Sequence, residues 1–151
     1  MREILFRGKR IDNGEWIEGM LVIRQRRDFI SPAKFRVQYY TEDNLYTLGR
    51  FMEVVPSTVC QYTGLTDKNG KKIFEGDIVH YLCSHVVALV KFGEYKDIDA
   101  DNKKSFGYYV QYREDEKTIT ENMDLSESDK EYGCEVIGNI YDNPELLEDG
   151  K

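Results

Sequence analysis

Three groups of side chains have the types and the spacing to do chemistry. The first is acidic: Asp97, Asp99 and Asp101 alternate within Asp97-Ile98-Asp99-Ala100-Asp101-Asn102. Carboxylates at the first, third and fifth positions of a loop can wrap their oxygens around a hard cation such as calcium. Such a loop turns sharply at its sixth position and closes with a bidentate Glu at its twelfth. Here those positions hold Asn102 and Tyr108, so the turn is feasible but two ligand oxygens are missing. A solvated acidic loop accounts for the same residues and is preferred. Asp124 to Glu135 repeats the spacing with Asp129 at the turn and fits less well. The second group is His80, Cys83 and His85, the chain's two histidines and one of its three cysteines. A structural zinc site needs four ligands, which would draw in Cys60 and Cys134. On a continued strand, however, Cys83 and His85 share one face and His80 takes the other. A His and a Cys near a strand end, without metal, is the preferred reading, and no cofactor is expected.

The third group is basic and aromatic: Arg24, Arg26 and Arg27, then Lys34 and Arg36, followed by Tyr39, Tyr40 and Tyr46. Arginines neutralise phosphates and tyrosines stack on unpaired bases, so Arg24–Arg36 with its tyrosines is a candidate nucleic-acid surface. The competing reading is an exposed hairpin tip with tyrosines turned inward. Net charge bears on the choice. The chain carries −7 overall, yet residues 1–36 hold nine Lys and Arg against five Asp and Glu. Residues 93–151 hold seven against seventeen. An acidic molecule repels nucleic acid unless its basic region is segregated. Catalysis has less support still. Neither a Gly-x-Ser-x-Gly, a His-Glu-x-x-His nor a phosphate-binding glycine loop occurs. With 28 carboxylates, proximity alone nominates no acid–base pair. No catalytic residue is assigned.

The elements that position these groups read as short strands. Aromatic residues make up 13% of the chain, a share that suits pleated, half-buried surfaces. Asn13-Gly14 turns the chain between Ile4–Arg7 and Glu15–Ile23, where Gly19 marks a bulge. Arg24 to Lys34 reads as a polar loop, and 35–40 with 44–48 as a second hairpin. Val54-Val55-Pro56 separates an N-terminal β subdomain, 1–55, from a C-terminal one, 56–151. In the latter, Asn69-Gly70 supplies another turn, and strands follow over 73–81, 86–92, 108–112 and 135–141. The stretches 93–105 and 114–133 lack periodicity and read as solvated loops or short mobile helices. Asn143-Pro144 caps a short C-terminal helix that docks Leu146 or Leu147 on the sheet. The expected fold is mainly β: N-terminal hairpins packed with a small SH3-like bent sheet or barrel. Val86 to Val90 is the longest aliphatic run, far short of the roughly 20 residues that cross a bilayer. Three widely spaced cysteines and an N-terminus without an apolar signal segment place the chain in a cytosol.

Three blocks of sequence carry a family resemblance. Arg7-Gly8-Lys9 with Asn13-Gly14-Glu15-Trp16 resembles the opening of the YopX family of phage and prophage proteins. The run from Gln61 to Val79, through Gly64-Leu65-Thr66-Asp67-Lys68-Asn69-Gly70 and Phe74-Glu75-Gly76-Asp77, resembles its most specific signature. Glu135 to Leu147, with Gly138-Asn139-Ile140-Tyr141-Asp142-Asn143-Pro144, resembles its closing motif. The resemblance implies a β-rich accessory protein in the cytoplasm of a bacterial host, without an established activity, so no catalytic residue carries over. On this reading the chain is a non-catalytic module that binds a host or phage protein, with a homo-oligomer as a further expectation. Nucleic-acid binding through Arg24–Arg36 ranks second. No membrane partner is expected.

Overall fold

Each Asn-Gly pair turns the chain through a glycine in the left-handed region, Gly14 at φ 73° and Gly70 at φ 79°. Side chains lock both turns. Asn13 Oδ1 accepts from the Glu15 N–H at 3.0 Å. Asp67 Oδ1 accepts from the N–H groups of Asn69 and Lys71 at 2.8 and 2.9 Å. The computed structural model describes residues 3–24, 26–32, 51–81, 86–97, 103–114, 119–124 and 133–147. It is mainly β, and its described strands form two antiparallel sheets. The chain folds as two compact units, Met1–Tyr62 and Thr63–Lys151.

The first unit contains Phe6–Lys9 (β1), Trp16–Arg24 (β2), Arg27–Ser31 (β3), Met52–Glu53 (β4) and the start of Cys60–Thr66 (β5). They lie side by side in the order β4-β3-β2-β1-β5. Leu5, Ile30 and Val54 are buried in it. Gly8 admits this packing, since a Cβ there would stand 3.1 Å from the Cβ of Val54. A turn of 3-10 helix at Pro56–Thr58 leads into β5. Its Thr58 hydroxyl donates to the Val55 carbonyl and accepts the Lys9 N–H. Two expectations need correcting. Gly19 pairs in register with Phe6 and is not a bulge. It is glycine because the Ser31 carbonyl fills the space a Cβ would need. The segment after Ile23 is not a loop either: β2 runs to Arg24, turns in two residues and returns as β3. The expected hairpin over 35–48 lies outside the described residues.

In the second unit β5 continues to Thr66 and forms a hairpin with Lys72–Phe74 (β6). Asp77–Tyr81 (β7), Val86–Asp97 (β8), Lys103–Glu114 (β9), Ile119–Asp124 (β10) and Cys134–Asn139 (β11) form a five-stranded sheet in the order β10-β9-β8-β7-β11. Ile73, Val79, Ala88, Val90, Val110 and Val136 pack as its core. Gly76, at φ 78°, makes the bend before β7; its N–H donates to the Val90 carbonyl and its own carbonyl accepts from Ile140. Asp77 is 1% exposed, and its carboxylate accepts the Phe74 N–H at 2.8 Å, closing that bend from within. The ladder between β11 and β7 slips between Val136 and Gly138.

Here too the structure departs from expectation. The stretches read as loops hold strand: β8 and β9 pair as far as Asp97 and Lys103, and β10 occupies 119–124. The C-terminal helix is a single 3-10 turn, Pro144–Leu147, rather than an α-helix. Four residues leave no room for successive α-helical bonds. Leu146 does dock, with its Cδ1 2.8 Å from where a Cβ on Gly138 would sit. No helix among the described residues is long and apolar enough to cross a membrane.

Candidate functional site

β8 and β9 outrun their neighbours. β7 pairs with β8 from Val86 to Leu89, and β10 pairs with β9 from Tyr109 to Glu114. Beyond these, among the described residues, the hairpin continues as a two-stranded arm to Asp97 opposite Lys103. Side chains alternate between its faces. One face carries three cross-strand rows: Phe92 opposite Tyr108, Glu94 opposite Phe106, and Lys96 opposite Lys104. Phe106 is 74% exposed and Phe92 46%. Their rings meet edge to face at 5.2 Å, and Phe92 tilts against Tyr108 at 4.8 Å. Tyr108 in turn packs on the core of the sheet. Lys104 Nζ reaches Glu94 Oε1 at 2.7 Å. This is an aromatic ladder rooted in the core and open to solvent at its far end.

The opposite face of the arm is closed. Tyr95 and Tyr109 are both buried and stack at 4.7 Å with 17° between their rings. The row between them is Gly93 opposite Gly107, so no side chain stands in the way of the two rings. Burial pushes the Glu75 carboxyl above its ordinary value, against the pull of Lys91. Burial, and then the Glu75 charge, hold the Tyr109 phenol above its own. Lys91 Nζ donates to Gln111 Oε1 at 3.3 Å. These shifts follow from desolvation. Among the described residues, neither a nucleophile with its base nor a pair of poised carboxyls is assembled there.

The turn at Asp67 is a polar hub. Asp67 is 6% exposed, and its Oδ2 accepts the Val136 N–H of β11 at 3.1 Å. The Lys68 N–H donates to the Cys134 carbonyl at 3.0 Å, and Lys71 Nζ to the Val136 carbonyl at 3.4 Å. The 67–71 turn thereby covers the outer edge of β11. Burial raises the Asp67 carboxyl, but the N–H donors of Val136, Lys71 and Asn69, with the Lys71 charge, outweigh it and leave it below its ordinary value. Lys68 also pairs with Glu135 at 2.7 Å.

In the first unit, Arg24 and Arg27 stand directly opposite each other at the end of the β2–β3 hairpin. Arg26 forms the turn at φ 64°. Arg27 pairs with Glu53 at 3.7 Å. Arg7 and Lys9 lie over the ring of Trp16, 4.8 and 5.6 Å from its centroid, so two cations already lie against that indole. Lys34, Arg36, Tyr39 and Tyr40 lie outside the described residues. The structure therefore gathers Arg24, Arg26 and Arg27 at one hairpin end and leaves the remainder of that basic and aromatic group unplaced.

The metal candidates are placed only in part. Asp97 ends β8 opposite Lys103, while Asp99 and Asp101 lie outside the described residues. His80 sits on β7, Cys60 and Cys134 are buried thiols, and Cys83 and His85 lie outside the described residues. Among the described residues no three His, Cys, Asp or Glu side chains converge as metal ligands would.

Sequence reasoning placed strands over 86–92 and 108–112, at the root of the arm, but read 93–105 as a loop and so missed its outer part. A signal was present, since Phe106, Tyr108, Val110 and Tyr112 alternate as strand residues do. The glycines and charges between them hid it.

A comparison with known families matches the chain to the family described as YopX protein over residues 5–148. No curated protein matches it. Among solved structures, the crystal structure of protein EF1440 from Enterococcus faecalis aligns with 97% of this chain and 99% of that one. The two share 26% identity, with a TM-score of 0.47.

Proposed function

The chain belongs to the YopX family, and on that footing we propose that it is a phage- or prophage-encoded accessory protein that works in the host cytoplasm as a non-catalytic protein-binding module. The observation that carries this reading is the aromatic ladder on the β8–β9 arm. Exposed Phe92 and Phe106, backed by core-anchored Tyr108, form the kind of rigid apolar anchor on which protein interfaces concentrate their energy. The partner is a host or phage protein, or a second copy of the chain. We read the five-stranded sheet as an SH3-like bent sheet, because four strands meander and the last returns beside the first of them, β11 against β7. Such a sheet is a scaffold for the arm and does not itself define an activity.

A second reading, nucleic-acid binding through Arg24, Arg26 and Arg27, is favoured by the opposed pair Arg24 and Arg27. Against it, Arg27 already pairs with Glu53. Affinity capture from a bacterial host lysate separates the readings. A partner retained by the wild type and by Arg26→Ala, but lost with Phe106→Ala, supports the protein-binding module. Equal capture by wild type and Phe106→Ala overturns the role given to the arm.

A further inference from the structure

We propose that the Phe92–Phe106–Tyr108 face of the arm docks on the same face of a second copy of this chain, forming a closed two-fold dimer. The inference rests on the protein-binding reading above and specifies its partner. It comes from the order of side chains along the arm. Counted outward from the sheet, the face presents an aromatic row (Phe92, Tyr108), a middle row (Glu94, Phe106) and a lysine row (Lys96, Lys104). Successive rows on one face of a strand are about 7 Å apart, so the aromatic and lysine rows lie equally far from the middle one. Two arms laid face to face and antiparallel about that row put Lys96 of each over Phe92 of the other, and Lys104 over Tyr108. An isologous contact of this type uses the same patch on both copies and closes on itself.

Two Lys96–Phe92 ammonium–ring pairs then flank a central Phe106–Phe106 contact, and ammonium groups are attracted to ring faces. The two Glu94 carboxylates approach across the axis, each already held by its own Lys104 at 2.7 Å. The alternative, with the arms parallel, would set lysine row on lysine row and is repelled. The pattern thus selects one orientation. Three aromatic side chains per copy bury less than the roughly 800 Å² per partner of a standard stable interface. The dimer is accordingly weak and reversible.

Sedimentation velocity on the full chain, loaded from about 5 to about 500 µM to span micromolar affinities, tests it. The wild type should move from 17.7 kDa toward twice that mass as concentration rises. Phe106→Asp should stay at the monomer mass throughout, and Lys96→Glu should weaken association about tenfold. Phe106 is so exposed that its replacement should leave the thermal midpoint in place, and Lys96→Glu provides an independent probe. A wild type that stays monomeric at every loading, or a Phe106→Asp variant that associates like the wild type, overturns the dimer. If the monomeric wild type still captures a host protein through Phe106, the dimer alone falls and the protein-binding reading survives.

Discussion

Asp67 ties its own turn to a distant strand. One buried carboxylate satisfies N–H groups from the turn that contains it and from β11, sixty-nine residues further along the chain. Replacing it by alanine leaves donors without an acceptor, and such losses in a buried site are costly. We expect Asp67→Ala to lower stability by about 2–4 kcal/mol, read as a shift in the urea midpoint. Because its carboxyl titrates lower in the fold than in the unfolded chain, its contribution is complete above the unfolded value. It fades as pH falls through the lower folded value. The midpoint difference between wild type and Asp67→Asn should therefore narrow as pH falls from about 5 to about 2. A difference that widens on acidification would show that another group governs that range.

At the level of elements, the arm depends on the backbone of Gly93. Gly93 adopts φ +149°, a region that side chains avoid, although the space around it is open. Gly107 opposite it has the same open space without that backbone demand. Gly93→Ala should cost about 1 kcal/mol from strain alone, whereas Gly107→Ala should be close to neutral. Thermal midpoints of the two variants check this, and equal effects would place the cause in packing instead. The glycine row explains why the outer part of the arm was illegible in the sequence. Asn13-Gly14, Asn69-Gly70 and the Gly76 bend could be read directly, because turn chemistry is local. The arm has one face closed by two tyrosines and one face mixing phenylalanine with charge, so no single hydrophobic stripe marks it. β3 was hidden for a similar reason, since two arginines and an aspartate flank its turn. The metal and basic candidates were legible as residue types, but whether they converge depends on tertiary contacts that spacing does not encode.

For the molecule as a whole, charge sets the limits. A net −7 chain whose hairpin arginines are few and partly paired should not hold single-stranded DNA at physiological salt, where such fields are screened within about 8 Å. Fluorescence anisotropy with a labelled oligonucleotide should show weak binding at low salt and none at about 150 mM. Retention at that salt, abolished by Arg26→Ala with Arg27→Ala, would instead make nucleic acid the principal ligand. Molecules rich in short strands face another danger, because an uncovered outer strand recruits further chains into ribbons. Here three backbone groups of the last strand, the Val136 N–H and the Cys134 and Val136 carbonyls, are already taken by the turn around residue 67. An incoming strand would find no template at Cys134 and Val136, so ribbon growth is blocked at that stretch of the edge.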